Sequence, residues 1–204
     1  MFRVVLATVA LTVGLAAPAM ATPPGIPDKA TAVRELAELT VADEGSKAGY
    51  DRKKFKHWIT IEGRCDTREM VLKRDGSGVS TDEDCHPVSG SWFSPYDNET
   101  LNDASDVDID HFVPLMEACK SGASDWTDRQ RQDFANDLDA PQLIAVSASS
   151  NRSKGDRDPA AWKPPAQEYW CEYSRMWVAV KHKYQLTLQE SEKSAVQSML
   201  DTCA

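Results

Sequence analysis

Asp106-Val107-Asp108-Ile109-Asp110-His111-Phe112-Val113-Pro114 sets three carboxylates at alternate positions, runs them into a histidine and stops at a proline. Val107 and Ile109 alternate with the acids, which is the period of a half-buried strand. Carboxylates in a row beside an imidazole suit a hard divalent cation with a base next to it. In a regular strand Asp110 and His111 point to opposite faces. For both to serve one site the strand must break or bulge there, and Pro114 supplies a reason for the break. The competing reading is a solvated strand end that carries a surface histidine.

A second stretch weighs against that competing reading. It runs Pro141-Gln142-Leu143-Ile144-Ala145-Val146-Ser147-Ala148-Ser149-Ser150-Asn151-Arg152-Ser153-Lys154-Gly155-Asp156. Leu143 to Val146 is a short apolar run, a buried strand. Ser147 can cap a short helix that carries Asn151 and Lys154 on one face at i and i+3. Strand with Asp-His, strand, then helix with Asn resembles the HNH, or ββα-metal, nuclease superfamily. The 106–114 and 151–156 segments look like those of the HNH domain in RNA-guided CRISPR nucleases. The chain is more similar still to small secreted HNH proteins related to the C-terminal domain of GmrSD-type modification-dependent restriction enzymes. Cys-Asp-Thr-Arg-Glu at 65–69, Gly-Ser-Trp-Phe-Ser-Pro-Tyr-Asp at 90–97 and Pro-Gln-Leu-Ile-Ala-Val at 141–146 extend the resemblance over residues 45 to 204.

The resemblance implies an α+β fold, a small ββα-metal core with added helices in one disulfide-bonded domain, 45–204, after a lead-in and helix at 22–44. It implies a nuclease that hydrolyses phosphodiester bonds of DNA, and of RNA in a wider reading, with a single Mg²⁺ or another divalent ion such as Mn²⁺. His111 is then the general base, and Asp110 and Asn151 hold the metal. Magnesium keeps several waters and takes few protein ligands, which suits two. Gln142 stands where the resembling nucleases carry the Asn that orients the base, and a Gln amide makes the same bonds on a longer arm. Asp108 is expected behind the metal ligands. Arg68, Arg152 and Lys154 are candidate phosphate contacts. By family analogy the product carries a 5′-phosphate.

The chain opens as an export signal. Arg3 is the sole charge before Asp28, Val4 to Leu15 is apolar, and Ala19-Met20-Ala21 is a small-x-small cleavage site, so residues 1–21 read as a signal peptide. A transmembrane anchor is the alternative; the run is short for a span and no second one follows. Five cysteines fit a secreted, extracellular chain with two disulfides and one thiol left over. Fifteen pairings are open, and locality favours Cys65–Cys85 and Cys171–Cys203, leaving Cys119 free. Each bridge restricts the unfolded chain by about 3–4 kcal/mol in the loop-entropy model. Structural zinc lacks its paired Cys-x-x-Cys or His-x-x-x-His spacing.

The remaining chain reads as helix over about 29–43, a basic stretch at 50–74, an acidic turn-rich stretch at 75–110, and helices near 115–120, after Thr127, over 166–184 and over 187–201 with Thr187 as cap. Phe55 and Trp58 interleave with Lys53, Lys54 and Lys56, either a phosphate-tracking surface or a solvated face over an aromatic core. Asp66 caps a helix with Glu69 in the capping-box position. The aromatic stripe Tyr169, Trp170, Tyr173 and Trp177 has helical spacing, which favours core over base stacking. Without Arg3 the chain holds 22 Lys and Arg against 32 Asp and Glu, a net of −10. That charge repels nucleic acid at long range, so binding is expected to be weak, salt-sensitive and non-specific, by a monomer. Two other functional readings stay open: a non-catalytic secreted metal-binding or host-interaction module that keeps the HNH frame, and a hydrolase of RNA alone. Asn98-Glu99-Thr100 and Asn151-Arg152-Ser153 are glycosylation sequons, and a glycan on Asn151 would block the site.

Overall fold

The alternation over 106–110 and the apolar run over 143–146 meet in one antiparallel ribbon. The computed structural model describes residues 22–204; the export signal read at residues 1–21 lies outside them. The chain order is α1 Lys29–Glu38, β1 Thr60–Glu62, β2 Cys65–Asp66, α2 Thr67–Asp75, β3 Gly76–Thr81, β4 Pro87–Ser94 and β5 Glu99–Leu101. It continues with β6 Val107–His111, α3 Leu115–Lys120, α4 Asp128–Ala135, β7 Leu143–Ser147, α5 Ala148–Lys154, α6 Trp170–Lys183 and α7 Glu190–Leu200. The sheets are small and antiparallel: β1 with β2, β3-β4-β5, and β6 with β7.

The β6–β7 ribbon holds an unbroken register from Val107↔Ser147 to His111↔Leu143. It is buried on both faces. Val107, Ile109, Leu143 and Ala145 pack with Val71 and Leu72 of α2 and with Trp92 of β4. Ile144 and Val146 join a larger core with Tyr173, Met176 and Trp177 of α6 and Val196, Met199 and Leu200 of α7. The aromatic stripe is therefore core: Phe112 sits 4.6 Å from Tyr173, centroid to centroid. Ala32 and Leu36 of the lead-in helix, and Leu39 directly after it, belong to this same core. The fold is one mixed α/β domain with Cys65–Cys85 and Cys171–Cys203 bridged and Cys119 a buried free thiol.

Local signals set several boundaries. The Asp66–Glu69 capping box starts α2, and Thr127 with Gln130 starts α4. Ser147 accepts from Ser150 N and starts α5. Helix α1 ends at Glu38, short of the expected 43, because β-branched Thr40 and Val41 turn extended and bridge in parallel to Leu188. That bridge uses the backbone beside Thr187, so α7 starts at Glu190 with Gln189 as its cap, not with Thr187. The 166–184 helix begins as a 3₁₀ turn, Gln167–Tyr169, before α6.

The two sequons differ in setting. Asn98 is exposed at the β4–β5 turn with φ +60° and donates to Glu168 at 2.5 Å. Asn151 is half-buried inside α5 and its amide donates to Asp108. Expression in a eukaryotic secretory host is expected to add a single N-glycan, at Asn98. Intact mass before and after glycosidase reads it, and a shift that survives Asn98→Gln would place it elsewhere.

Candidate functional site

The strand–strand–helix order places α5 against β6, antiparallel registry bringing Asn151 opposite Asp108 and Lys154 opposite Asp110. Asn151 Nδ2 donates to Asp108 Oδ2 at 3.0 Å, and the exposed Arg152 guanidinium stands 3.8 Å from the same oxygen. Lys154 Nζ lies 2.7 Å from Asp110 Oδ2, donates to Asp110 Oδ1 at 3.0 Å and reaches the His111 carbonyl at 3.2 Å. Tyr96 Oη donates to Asp110 Oδ2 at 2.6 Å. Asp110, Lys154 and Tyr96 are all buried. Burial pulls both members of the Asp110–Lys154 pair toward their neutral forms, and their mutual attraction at contact distance opposes it. Removing either partner leaves the other charge enclosed.

His111 occupies the opposite face of β6. The expected break before it is absent: the strand runs through His111, and the next amide, Phe112 N, still bonds Gln142 O at 2.7 Å. The imidazole is buried, and Nε2 lies 2.9 Å from the Ala135 carbonyl. A carbonyl only accepts, so Nε2 carries the proton and Nδ1 the lone pair. Burial pushes the imidazole down to about pKa 3, against the Ala135 bond, which raises it. Trp58 stacks on the ring at 5.3 Å and 26°, and His57 meets it edge-on at 5.8 Å. Trp58 has φ +56°, a left-handed backbone that costs a bulky aromatic about 1–3 kcal/mol. Asn136 holds that loop: its Nδ2 donates to Lys56 O at 2.7 Å, and its Oδ1 accepts from Ile59 N and from Thr67 Oγ1. The exposed basic turn Arg52–Lys54 leads directly into it.

Three expected roles meet different geometry. Gln142 is fully buried and bonds both backbone groups of Val113, Oε1 accepting from N at 3.1 Å and Nε2 donating to O at 2.9 Å. It braces the chain after His111 and makes no bond to the imidazole. Arg68 donates to the carbonyls of Ala104 and Val107, both at 3.2 Å, which ties α2 to the start of β6. Lys154 is enclosed against Asp110 and offers no ammonium to a phosphate at the surface. Arg152 remains the open cation on α5. Sequence reading missed His57, Trp58, Tyr96 and Asn136 as neighbours of these groups. A His-Trp pair directly after a basic run was the signal available for the first two.

A divalent cation fits some of these groups and not others. Both Asp110 oxygens are engaged by Tyr96 and Lys154, so a cation there would have to displace a buried ammonium. Asp108 is part-exposed, and the Asn151 Oδ1 makes no hydrogen bond among the described residues. Turning the amide over would put that oxygen 3.0 Å from Asp108 Oδ2, about the edge of an octahedron with metal–oxygen bonds near 2.1 Å. The hard-donor pair that fits is Asp108 with Asn151.

A family model, GmrSD restriction endonucleases, C-terminal domain, matches residues 80–197. That span takes in β6, β7 and α5. The chain is 57% identical over 199 residues to an "Uncharacterized secreted protein" of Arthroderma benhamiae (strain ATCC MYA-4681 / CBS 112371), covering 97% of this chain and 98% of that one. No solved structure matches the chain. With more than half its length matched, from the strand before Cys85 to the last turns of α7, the chain belongs to the family of GmrSD restriction endonuclease C-terminal domains.

Proposed function

We propose that this chain is a secreted, metal-dependent nuclease of the HNH type that hydrolyses phosphodiester bonds of DNA. The observation that carries the reading is His111 at the end of the β6–β7–α5 unit, held in one tautomer by the Ala135 carbonyl with Nδ1 left to take a proton. Membership of a nuclease-related family supports it. Export is supported by the name of the 57% identical relative, and no helix among the described residues is long and apolar enough to cross a membrane.

Asp108 and Asn151 would hold the cation on the face of β6 opposite His111, so one phosphate reaches both only around the end of the strand. When bound, it supplies charge neutralisation on the phosphate oxygens and lowers the cost of forming hydroxide. His111 Nδ1 accepts a proton from the attacking water. The Ala135 bond and the Trp58 stack fix the plane and tautomer of the ring, and the Ala135 carbonyl opposes the burial that disfavours the imidazolium. Arg152 and the turn Arg52–Lys54 supply positive charge for the nucleic-acid backbone, which makes binding weaken with salt.

The sealed Asp110–Lys154–Tyr96 group favours the second reading, a metal-binding or host-interaction module that has lost cutting. Plasmid nicking by the disulfide-bonded mature chain separates the two. With Mg²⁺ or Mn²⁺ nicking is expected, and EDTA is expected to abolish it. Asp108→Ala is expected to lower the rate by at least the roughly 10–100-fold that outer partners of a metal site cost, whereas Asp110→Ala acts on thermal stability. No cutting of DNA or RNA with any divalent ion selects the binding module. Loss of cutting in Asp110→Ala at unchanged stability returns the ligand role to Asp110.

A further inference from the structure

His57 stands beside His111 without any assigned part. Its Nδ1 lies 2.7 Å from the Phe55 carbonyl, so Nδ1 carries the proton and Nε2 is the free nitrogen, the opposite tautomer to His111. The two rings stand 5.8 Å apart at 89°, and the Trp58 ring contacts both, His57 at 5.2 Å edge-on and His111 in a stack. Trp58 holds its left-handed backbone, and Asn136 bonds the chain on either side of the pair. The loop is thus built to fix two imidazoles with different nitrogens free, beside an exposed run of Arg52, Lys53 and Lys54. A base acts within about 3 Å of the attacking oxygen and an acid within about 3 Å of the leaving one. Two rings at this separation can serve the two sides of one phosphorus.

We propose that His57 is a second catalytic imidazole, which delivers a proton to the leaving 3′ oxygen; this rests on the nuclease reading. The half-exposed ring takes a proton from solvent at Nε2. Water attacks phosphorus and gives its proton to His111 Nδ1. The bond from phosphorus to O3′ breaks, its electron pair goes to O3′, and O3′ takes the Nε2 proton of His57. The products are a 5′-phosphate and a 3′-hydroxyl. His57 ends neutral and His111 protonated, and return of that proton to solvent restores both.

A leaving group that needs no proton tests this. The substrates are a DNA duplex with one 3′-S-bridging phosphorothiolate linkage and its all-oxygen counterpart, cleaved by the full disulfide-bonded chain in Mg²⁺ and in Mn²⁺. His57→Asn keeps an amide donor for the Phe55 carbonyl and removes the acid. It is expected to slow cleavage of the natural linkage by about 10²–10⁴-fold and to cleave the sulfur linkage at close to the wild-type rate. Equal slowing on both substrates would make His57 a structural residue, and no slowing on the natural linkage would remove it from the reaction; both overturn the proposal and leave the nuclease reading standing. A wild-type chain that cleaves neither substrate overturns both.

Discussion

His111→Gln is expected to lose about 10²–10⁴-fold in kcat/KM for plasmid nicking, equivalent to roughly 3–5 kcal/mol of transition-state stabilisation. Gln is the informative substitution. Its amide N–H can take the place of Nε2–H at the Ala135 carbonyl, 2.9 Å away in the parent chain, and its length keeps contact with Trp58. What it lacks is a basic nitrogen at the position of Nδ1. Ala would confound the result, because it empties a buried site beneath a strained loop and leaves the Ala135 carbonyl unpaired. A thermal unfolding midpoint near the parent value, with nicking lost, places the defect in the chemistry. Undiminished nicking by His111→Gln would remove His111 as the base.

The strand carrying this residue was legible because a two-residue period is a local property. Val107 and Ile109 between acids fix the strand, and Ser147 before a hydroxyl-rich run fixes the start of α5. The capping boxes at Asp66 and Thr127 are equally local. The two bridges followed from locality of the cysteines. The faces of the site were not legible. Alternation says that Asp110 and His111 point apart, and the expectation of a break between them came from wanting both in one site; the ladder continues instead to Leu143. Nor does the sequence say that the i+3 partner of Asn151 is buried. Lys154 on the exposed-looking face of a polar helix is enclosed against Asp110, which also accepts from Tyr96, 58 positions before Lys154 in the chain. Trp58 and His57 join His111 through a loop held by Asn136, a contact across more than fifty residues with no periodic signature. Gln142 reads as an active amide by position, yet two backbone bonds to Val113 consume both ends of it.

The largest effect on stability is expected from Lys181→Met, in the helical half of the core. Lys181 of α6 is fully buried, with Nζ 2.9 Å from Glu117 Oε1 of α3 and 2.9 Å from Glu192 Oε1 of α7. It also donates to Ser121 Oγ at 2.9 Å and to the Thr187 carbonyl at 2.8 Å. One ammonium serves two buried carboxylates, and their remaining partners decide how each titrates. Burial raises Glu117, but Lys181, Lys120 and Ser121 outweigh it and hold the carboxyl near 2. Burial raises Glu192 too, and there Lys181 and the Trp177 indole do not offset it, leaving about 7. Lys120, paired with Glu44, and the Asp158 carboxylate, within 4.8 Å of those of Glu117 and Glu44, are further charges at the rim of the group. With a carboxyl near 4.5 in the unfolded chain, the Glu192 contribution is full below that pH and is lost as pH rises through 7. The Glu117 contribution runs the other way, present above 4.5 and lost as pH falls through 2. Lys181→Met leaves two enclosed carboxylates without their shared cation, which costs about 3–5 kcal/mol when they are ionised. Without the ammonium both carboxyls favour protonation in the fold, so the deficit is expected to be largest near pH 8 and to shrink toward pH 5. Urea unfolding followed by tryptophan fluorescence with the disulfides intact measures it. Adding Glu192→Gln to Lys181→Met is expected to recover part of the loss at pH 8 and less at pH 5. A deficit below about 1 kcal/mol, or one that does not change with pH, would show that the triad is hydrated and that the three helices are held together by their apolar contacts alone.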